Sequence, residues 1–256
     1  MKLSVVLLTW NVEKYIAPCL DSLLSSIKHL DFEIIIVDNY STDNSLSLLE
    51  KYRSERISII KNAENRGVAT ARNQALKLVQ GAFIWLLDID TVVNQAAIDQ
   101  LLLQMRENPQ TGISACKLTA EDGSVQMSCR KFPSIRYKLY NILEERGINI
   151  KSNQSQFYKK QMNGNVAFEV DYVIGACQLV RKTALDEVGL LDEHIFYGPE
   201  DADFCLRMKR RNWTTVYLPT VSIIHHYQQI SRKKLFSKMS FLHLKGLIYY
   251  FWKWKK

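Results

Sequence analysis

The sequence predicts an α/β fold built on a doubly wound, mostly parallel central sheet. In its first half, short apolar runs alternate with stretches whose apolar residues recur at helical spacing. The runs are rich in β-branched residues and lack polar alternation, which is typical of parallel strands covered on both faces. The chain has 256 residues, 47% of them hydrophobic, which suffices for one large domain.

The first half alternates strand and helix in the order expected of right-handed β-α-β units. Strands are predicted over 3–9, 33–37, 57–60 and 83–90, and helices over 15–27, 41–52 and 68–79. Ser41 or Thr42 is the expected cap of the second helix, and Gly81 closes the third. Ligands of such sheets bind beyond the carboxyl ends of the strands, where 9–11, 38–39 and 88–90 lie.

The second half is more mixed, and it supplies helices, strands and one long polar loop. In chain order we predict a helix over 94–107, a strand over 113–118, a helix over 136–147, a mobile loop over 151–165, a strand over 172–180, a helix over 199–211 and an extended segment over 214–225.

Two groups of acidic residues indicate chemistry. Asp88 and Asp90 follow a buried strand, where carboxylates are costly unless a cation lies beside them. In an extended segment, residues i and i+2 point to the same side. A divalent ion, Mg²⁺ or Mn²⁺, bridging a nucleotide diphosphate is therefore the predicted ligand. Glu200 and Asp201 begin a helix farther along the chain and suggest a separate carboxylate base.

The charge of the chain is uneven. The formal net charge is +8, but no acidic residue follows Asp203, and twelve Lys and Arg do. Residues 232–256 combine eight basic residues with Phe, Tyr and Trp, which favours an interfacial helix on an anionic membrane surface. A helix packed on the domain or in a dimer interface is the alternative. No nucleic-acid motif accompanies these basic residues, so nucleic acid is not an expected partner.

The cysteines and the N-terminus indicate a cytoplasmic protein. Five scattered cysteines without metal spacing are expected to be reduced, mostly buried thiols. The apolar run at 3–9 is too short for a signal peptide and is expected to be a buried strand. Together with the basic tail, this predicts a location on the cytoplasmic face of the inner membrane.

Several short motifs occur in a characteristic order between residues 3 and 231. They are Thr9-Trp10-Asn11, Asp38-Asn39-Tyr40-Ser41-Thr42-Asp43, Asn65-Arg66-Gly67, Ala71-Arg72-Asn73, Asp88-Ile89-Asp90, Gly175-Ala176-Cys177, Glu200-Asp201-Ala202-Asp203 with Arg207, and Trp213, Tyr217 and Pro219 leading to His225. This set resembles the family 2 glycosyltransferases of the GT-A fold, in the branch that holds bacterial rhamnosyltransferases.

The resemblance implies a role for each motif. Asp90 would bind the metal, Asp88 the ribose or the ion's water, and Asp201 would be the catalytic base. His225 could complete the metal's ligands, with His226 as the competing choice. The residues implied in nucleotide-sugar binding are Thr9, Asn11, Glu13, Asp38, Asn39, Ser41, Gly67, Arg72, Asn73 and Asp88. Those implied in acceptor binding are Gly175, Ala176 and Glu200.

Structural explanations compete with several of these roles. Asp38 and Asn39 could form an Asx turn, and Arg72 could belong to a surface ion pair. The acids at 200–201 could stabilise a helix N-terminus, and Gly175 could serve tight packing. The predicted boundaries are a nucleotide-sugar half over 1–93, an acceptor half over 94–228 and a tail over 229–256.

The resulting expectation is an inverting, metal-dependent glycosyltransferase. It would move a hexose or deoxyhexose, such as rhamnose, from a nucleotide-diphosphate sugar to a glycan or polyprenyl-linked acceptor in cell-surface polysaccharide synthesis. A nucleotidyltransferase is one rival, although residues 9–13 lack the Gly-rich phosphate loop it needs. A non-catalytic, membrane-associated module of the same fold is the other. Self-association is left open.

Overall fold

The computed structural model describes residues 2–137, 157–158, 161–226 and 238–255. Most of the helix predicted over 136–147 lies outside these residues, as does much of the loop predicted over 151–165 and the segment 229–237 at the start of the tail.

Four parallel strands form one half of the central sheet. They are β1 (Lys2–Thr9), β2 (Asp31–Asp38), β3 (Ile57–Lys61) and β4 (Phe83–Asp88), in the spatial order β3-β2-β1-β4. In this register Thr9 lies opposite Asp38, and Leu8 lies opposite Asp88. The polar residues that follow each strand therefore meet at one edge, as the sequence predicts.

The helices of this half connect the strands on both faces. They are α1 (Glu13–Ile27), α2 (Ser45–Glu50) and α3 (Val68–Leu76). Residues of α1 pack into one apolar cluster with Trp85, while residues of α3 pack into a second cluster with Val6 and Leu86. The doubly wound prediction is therefore confirmed.

The prediction that a helix begins at Ser41 is wrong. Side chains of β2, of the β1–α1 turn and of the first residue of α1 bind the backbone N–H groups of residues 41, 42 and 44 and hold this segment in a loop. Asp38 Oδ2 accepts from Ser41 N at 3.2 Å, and Asn11 Oδ1 accepts from Thr42 N at 2.7 Å. Glu13 Oε2 accepts from Asn44 N at 2.9 Å. The helix begins only at Ser45, with no side-chain cap.

The second half extends the same sheet beyond β4. Its elements are β5 (Thr91–Val92), α4 (Gln95–Glu107), β6 (Thr111–Thr119), β7 (Cys129–Arg130), β8 (Phe168–Glu169), β9 (Tyr172–Val173), β10 (Cys177–Arg181), α5 (Lys182–Val188), α6 (Glu200–Arg210), β11 (Thr214–His225) and α7 (Lys238–Trp254). The sheet continues from β4 through β10, β6 and β11 to β5. Strand β10 is antiparallel to both its neighbours, β4 and β6, whereas β6 and β11 run parallel to each other.

The prediction of one strand over 172–180 is also wrong. Strand β9 pairs with β7 in a separate two-stranded sheet, whereas β10 belongs to the central sheet. The three residues between them, 174–176, form a turn instead of a continuous strand. An alternation of apolar and polar residues cannot reveal this break, because the strand before it and the strand after it are both buried.

All five cysteines are buried free thiols, as predicted. Cys116 and Cys177 lie side by side with their sulfur atoms 3.7 Å apart, and the indole N–H of Trp85 donates to Cys177 Sγ at 3.4 Å.

Helix α7 packs against the domain along one face. Tyr250 is fully buried and Leu247 nearly so. Lys253 Nζ lies 2.6 Å from Asp203 Oδ1 and 2.7 Å from Asp192 Oδ2, and the Trp254 indole N–H donates to Asp203 Oδ1. This is the packed arrangement that the sequence left as an alternative. Within the described residues, no helix is both long enough and apolar enough to span a bilayer.

The Asp203 carboxylate is predicted to be a main anchor of α7. It is fully buried and binds Lys253, Trp254 and Arg207. Because Asp203→Ala removes the acceptor that these three donors share, it should lower the free energy of unfolding by about 3 kcal/mol or more. Urea denaturation measures this value.

Asp186→Ala is the matched control, because its ion pair with Lys182 is largely exposed. We expect a loss below about 1 kcal/mol from that change. Equal losses in the two variants would show that Asp203 does not anchor the helix.

Candidate functional site

The site forms at the edge where β1, β2 and β4 end. Thr9 donates its hydroxyl to Asp38 Oδ1 at 3.0 Å, and Asp38 Oδ2 accepts from Ser41 N. Asp38 is only 1% exposed, so its carboxylate already holds the loop at 41–45. Asp38 thus binds the backbone three residues on, one residue farther than in the Asx turn offered as the alternative, and a nucleotide contact by Asp38 stays a prediction.

Three more of the residues predicted to bind the nucleotide sugar brace the same loop. The Asn11 backbone N–H donates to Ser41 Oγ at 3.0 Å, while Asn11 Oδ1 and Glu13 Oε2 bind backbone N–H groups of residues 42 and 44. Asn11 has a φ of 53°, in the left-handed region that Asn tolerates better than most residues. These side chains therefore shape the loop at the strand ends.

Two buried asparagines connect segments that are distant in sequence. Asn39 accepts from Asn62 and from the backbone N–H of Arg66, and donates to Asn65. Asn73, on α3, donates to the Leu191 carbonyl and to Glu193, and accepts from the Leu191 N–H. Their amides are nearly inaccessible, at 3% and 1% exposure. The structure thus gives both residues a bracing role, and ligand contact stays a prediction.

Gly67 meets a steric demand at the start of α3. Its φ is 79°, and a Cβ at this position would lie 2.6 Å from the Phe196 carbonyl oxygen. Only glycine fits such a close approach without strain. A small apolar pocket opens here between Trp10, Gly67, Phe196 and Met239, so the first turn of α7 reaches the edge of the site.

Asp88, Asp90 and His225 come together as the sequence predicts. One ligand atom from each lies within 4.8 Å of the others. His225 Nε2 is 3.4 Å from Asp90 Oδ1 and 4.0 Å from Asp88 Oδ2. Strand β11 pairs antiparallel with β5 directly after Asp90, and this pairing brings the histidine to the two acids. Carboxylate oxygens with one imidazole nitrogen form a set that suits a divalent cation.

Hydrogen bonds with Gln126 orient the ring of His225 toward the two acids. Nδ1 lies 2.7 Å from the side-chain oxygen of Gln126, and the Gln126 amide N–H donates to the His225 carbonyl. Nδ1 therefore donates to Gln126, which leaves Nε2 on the side of the two acids. Burial would lower the pKa of His225, but the hydrogen bond to Asp90 and the charges of Asp90 and Asp88 raise it above its ordinary value.

His226 does not face the acids. Its ring stacks on Tyr15 with centroids 5.0 Å apart, and Nδ1 lies 3.1 Å from Glu121 Oε1. The choice between the two neighbouring histidines therefore falls on His225.

Arg72 connects this acidic group to the second half of the domain. Its Nη2 donates to Asp88 Oδ1 at 2.6 Å and to the Gly175 carbonyl at 2.8 Å. Its side chain is only 4% exposed, so the expected alternative of a surface ion pair is wrong. A Cβ on Gly175 would lie 2.3 Å from Arg72 Nη1. Gly175 therefore serves close packing, and Ala176 accepts from the Asp88 N–H through its carbonyl.

Glu200 and Asp201 form a coupled acidic pair at the start of α6. Glu200 is buried, and its Oε2 has no hydrogen-bond partner among the residues that the structure describes. Burial and the neighbouring charge of Asp201 raise the pKa of Glu200 to about 8. Burial also raises the pKa of Asp201, while Arg130, Arg72 and the backbone groups of Ala202 and Gly175 oppose that shift. Glu200 therefore keeps a proton at neutral pH.

Electrostatic interactions link the acidic pair to the predicted metal ligands. Arg72 acts on both Glu200 and Asp201, and the charge of Asp88 acts on Glu200. Arg72 in turn binds Asp88, which lies beside His225 and Asp90. The acids that are distant in sequence thus belong to one connected group.

Sequence reasoning missed two residues of the site. Arg130 ends β7, where its charge acts on Asp201 and its side chain hydrogen-bonds Tyr172. Gln126 holds His225. Both lie in a stretch of short strands and turns, and a two-residue strand is too short to show periodicity.

Comparisons with known proteins agree with this geometry. Residues 4–189 match the model of the family described as Glycosyl transferase family 2. The N-acetylglucosaminyl-diphospho-decaprenol L-rhamnosyltransferase of Mycobacterium tuberculosis (strain CDC 1551 / Oshkosh) is 27% identical over 237 residues, which are 88% of this chain and 76% of that protein. The poly(ribitol-phosphate) beta-N-acetylglucosaminyltransferase TarS of Staphylococcus aureus (strain Mu50) is 30% identical over 190 residues, 64% of this chain and 33% of that one.

Solved structures share the fold. The mannosyltransferase PcManGT from Pyrobaculum calidifontis, in complex with GDP-Man and Mn²⁺, has a TM-score of 0.60 at 16% identity and matches 89% of this chain and 57% of that one. S. aureus TarS 1–349 in complex with UDP-GlcNAc has a TM-score of 0.60 at 22% identity, over 90% of this chain and 59% of that one. The chain thus spans less than two thirds of either solved protein, and the predicted GT-A fold is confirmed. Since the family model matches most of the chain, this protein belongs to glycosyl transferase family 2.

Proposed function

We propose that this protein is an inverting, divalent-metal-dependent glycosyltransferase. It transfers a hexose or deoxyhexose, such as rhamnose, from a nucleotide-diphosphate sugar to a hydroxyl group of a glycan or lipid-linked glycan in cell-surface polysaccharide synthesis. The observation that carries the proposal is the convergence of ligand atoms of Asp88, Asp90 and His225 beside a buried acidic pair. The mycobacterial relative, named for an acceptor on decaprenol diphosphate, supports the acceptor class.

Asp90, Asp88 and His225 would hold the divalent ion, Mg²⁺ or Mn²⁺. Bound there, the ion would neutralise the charge that builds on the leaving diphosphate. Arg72 adds a fixed positive charge beside Asp88, and its burial prevents water from screening that charge. The loop at 41–45, braced by Thr9, Asp38, Asn11 and Glu13, forms the rest of the donor side.

Asp201 is the proposed base that takes the proton of the acceptor hydroxyl. An inverting transfer needs this base on the face of the sugar opposite the leaving group. Because Glu200 keeps a proton at neutral pH, it can donate a hydrogen bond to an acceptor oxygen while Asp201 accepts one. Gly175 and Ala176, in the turn beside Arg72, complete the proposed acceptor side.

Loss of a metal ligand tests the donor side. Asp90→Asn should reduce transfer by roughly a hundredfold or more, because it removes one of the two carboxylates. In thermal denaturation with Mn²⁺ and UDP, GDP or dTDP, the native protein should melt at a higher temperature with one of these pairs. The Asp90→Asn variant should show no such rise.

Glu121→Gln is the matched control, since it removes an exposed carboxylate that pairs with His226, the histidine that does not face the acids. Full activity of Asp90→Asn, or of the native protein in excess EDTA, would contradict the metal role. Release of pyrophosphate from a nucleoside triphosphate would instead indicate a nucleotidyltransferase.

The base is tested by Asp201→Asn. This change should lower the transfer rate by roughly 10²–10⁴-fold, because one positioned base typically contributes that much. Donor binding, measured by calorimetry with the nucleotide diphosphate, should not change. Unaltered transfer would place the base elsewhere, and a larger loss in Glu200→Gln than in Asp201→Asn would assign the role to Glu200.

The raised pKa of Glu200 predicts how stability depends on pH. Folding lifts this pKa from its ordinary value of 4.5 to about 8, so between these values the folded state binds more protons than the unfolded state. Stability contributed by the protonated group is complete below about pH 4.5 and is lost as the pH rises toward 8. Glu200→Gln should remove this loss, which is at most about 1.4 kcal/mol per pH unit.

Urea denaturation at several values from pH 5 to pH 8 measures this difference. The exposed variant Glu107→Gln should keep the native pH dependence. Parallel curves for the native protein and Glu200→Gln would show that Glu200 does not hold a proton in the folded state.

A further inference from the structure

Helix α7 carries an apolar stripe on its outer face. Phe241 is 67% exposed, Leu244 54%, Ile248 62% and Trp252 75%. Their spacing of three, four and four residues places all four on one side of the helix. Single exposed apolar residues are common, but a contiguous row of large ones marks an interaction surface.

The opposite face of α7 is fixed to the domain, so the stripe cannot turn inward. Tyr250 is fully buried, and a Cβ on Gly246 would lie 2.7 Å from the Gly198 carbonyl oxygen. Lys253 and Trp254 both bind Asp203. Rotating the helix to cover the stripe would break these contacts and expose the Asp203 charge. Among the residues that the structure describes, none covers the stripe, which therefore stays open to a partner.

The charge of this helix face indicates what kind of partner covers the stripe. Lys245 lies within the stripe and Lys255 near its end, and both are exposed. The sequence from 232 to 256 has eight basic residues and no acidic one. A second copy of this chain would bring two such basic stretches together, which is repulsive. An anionic bilayer offers apolar depth for Phe, Leu, Ile and Trp together with negative headgroups for the lysines.

We propose that the outer face of α7 docks the protein in the plane of an anionic membrane. The face is defined by Phe241, Leu244, Ile248 and Trp252. Resting on the function proposed above, this orientation serves a lipid-linked acceptor. The inner face of α7 holds α6 through Asp203, two residues after Asp201, so roughly one helix diameter, about 10 Å, separates the acidic helix from the bilayer.

Vesicle co-sedimentation of the full chain tests this docking. Native protein should bind vesicles of phosphatidylglycerol and phosphatidylcholine, and bind weakly to vesicles of phosphatidylcholine alone or at high salt. The triple variant Phe241→Gln, Leu244→Gln and Ile248→Gln should bind anionic vesicles roughly tenfold more weakly or worse. Its melting temperature should stay close to the native value, because all three side chains are exposed.

A control triple variant removes exposed apolar residues elsewhere and should bind vesicles like the native protein. It combines Leu78→Gln, Leu103→Gln and Val166→Gln. Transfer to a water-soluble acceptor analogue should be equal in all three proteins, so loss of docking is distinguishable from failure of the proposed enzymatic function.

Three results would overturn the proposal. The first is native protein that does not sediment with anionic vesicles, and the second is a stripe variant that binds as well as the native protein. The third is a dimer in light scattering that the stripe variant converts to a monomer without any vesicle binding by the native chain. That outcome would assign the face to self-association.

Discussion

The buried contact of Arg72 with Asp88 and Gly175 is the interaction on which the arrangement of the site depends. It joins the end of β4, in the first half of the sheet, to the turn that precedes β10 in the second half. A guanidinium that is almost fully buried needs such partners, because an unpaired buried charge is strongly destabilising. The electrostatic requirement of one side chain therefore fixes the distance between the proposed donor and acceptor sides.

The direction of β10 explains how one edge of the sheet collects so many functional residues. In a purely parallel sheet, only the carboxyl ends of strands reach this edge. Because β10 runs antiparallel to β4, its first residue, Cys177, lies beside Leu87 at the end of β4. The turn with Gly175 and Ala176 therefore meets Asp88, and β11 brings His225 to the same place.

Local sequence patterns predicted the features that depend on residues close in sequence. They failed where contacts between residues distant in sequence decide the local structure. The strands, most helices and the meeting of Asp88, Asp90 and His225 follow from apolar runs, spacing and the family resemblance. The helix start at Ser45 and the break at 174–176 depend on hydrogen bonds and strand pairings made across the fold. The amides of Asn39 and Asn73 also brace the backbone, a role that residue type alone does not reveal, and their contact with a ligand stays a prediction.

The double contact of Gln126 with His225 has a thermodynamic consequence. One amide group binds both the imidazole ring and the backbone carbonyl of the same histidine. The ring's torsion angles and tautomer are thus set when the polypeptide folds, and the entropy of ordering them is lost at that stage. The proposed capture of a cation at Nε2 would then require no reorientation of the ring, which is the meaning of preorganisation in a coordination site.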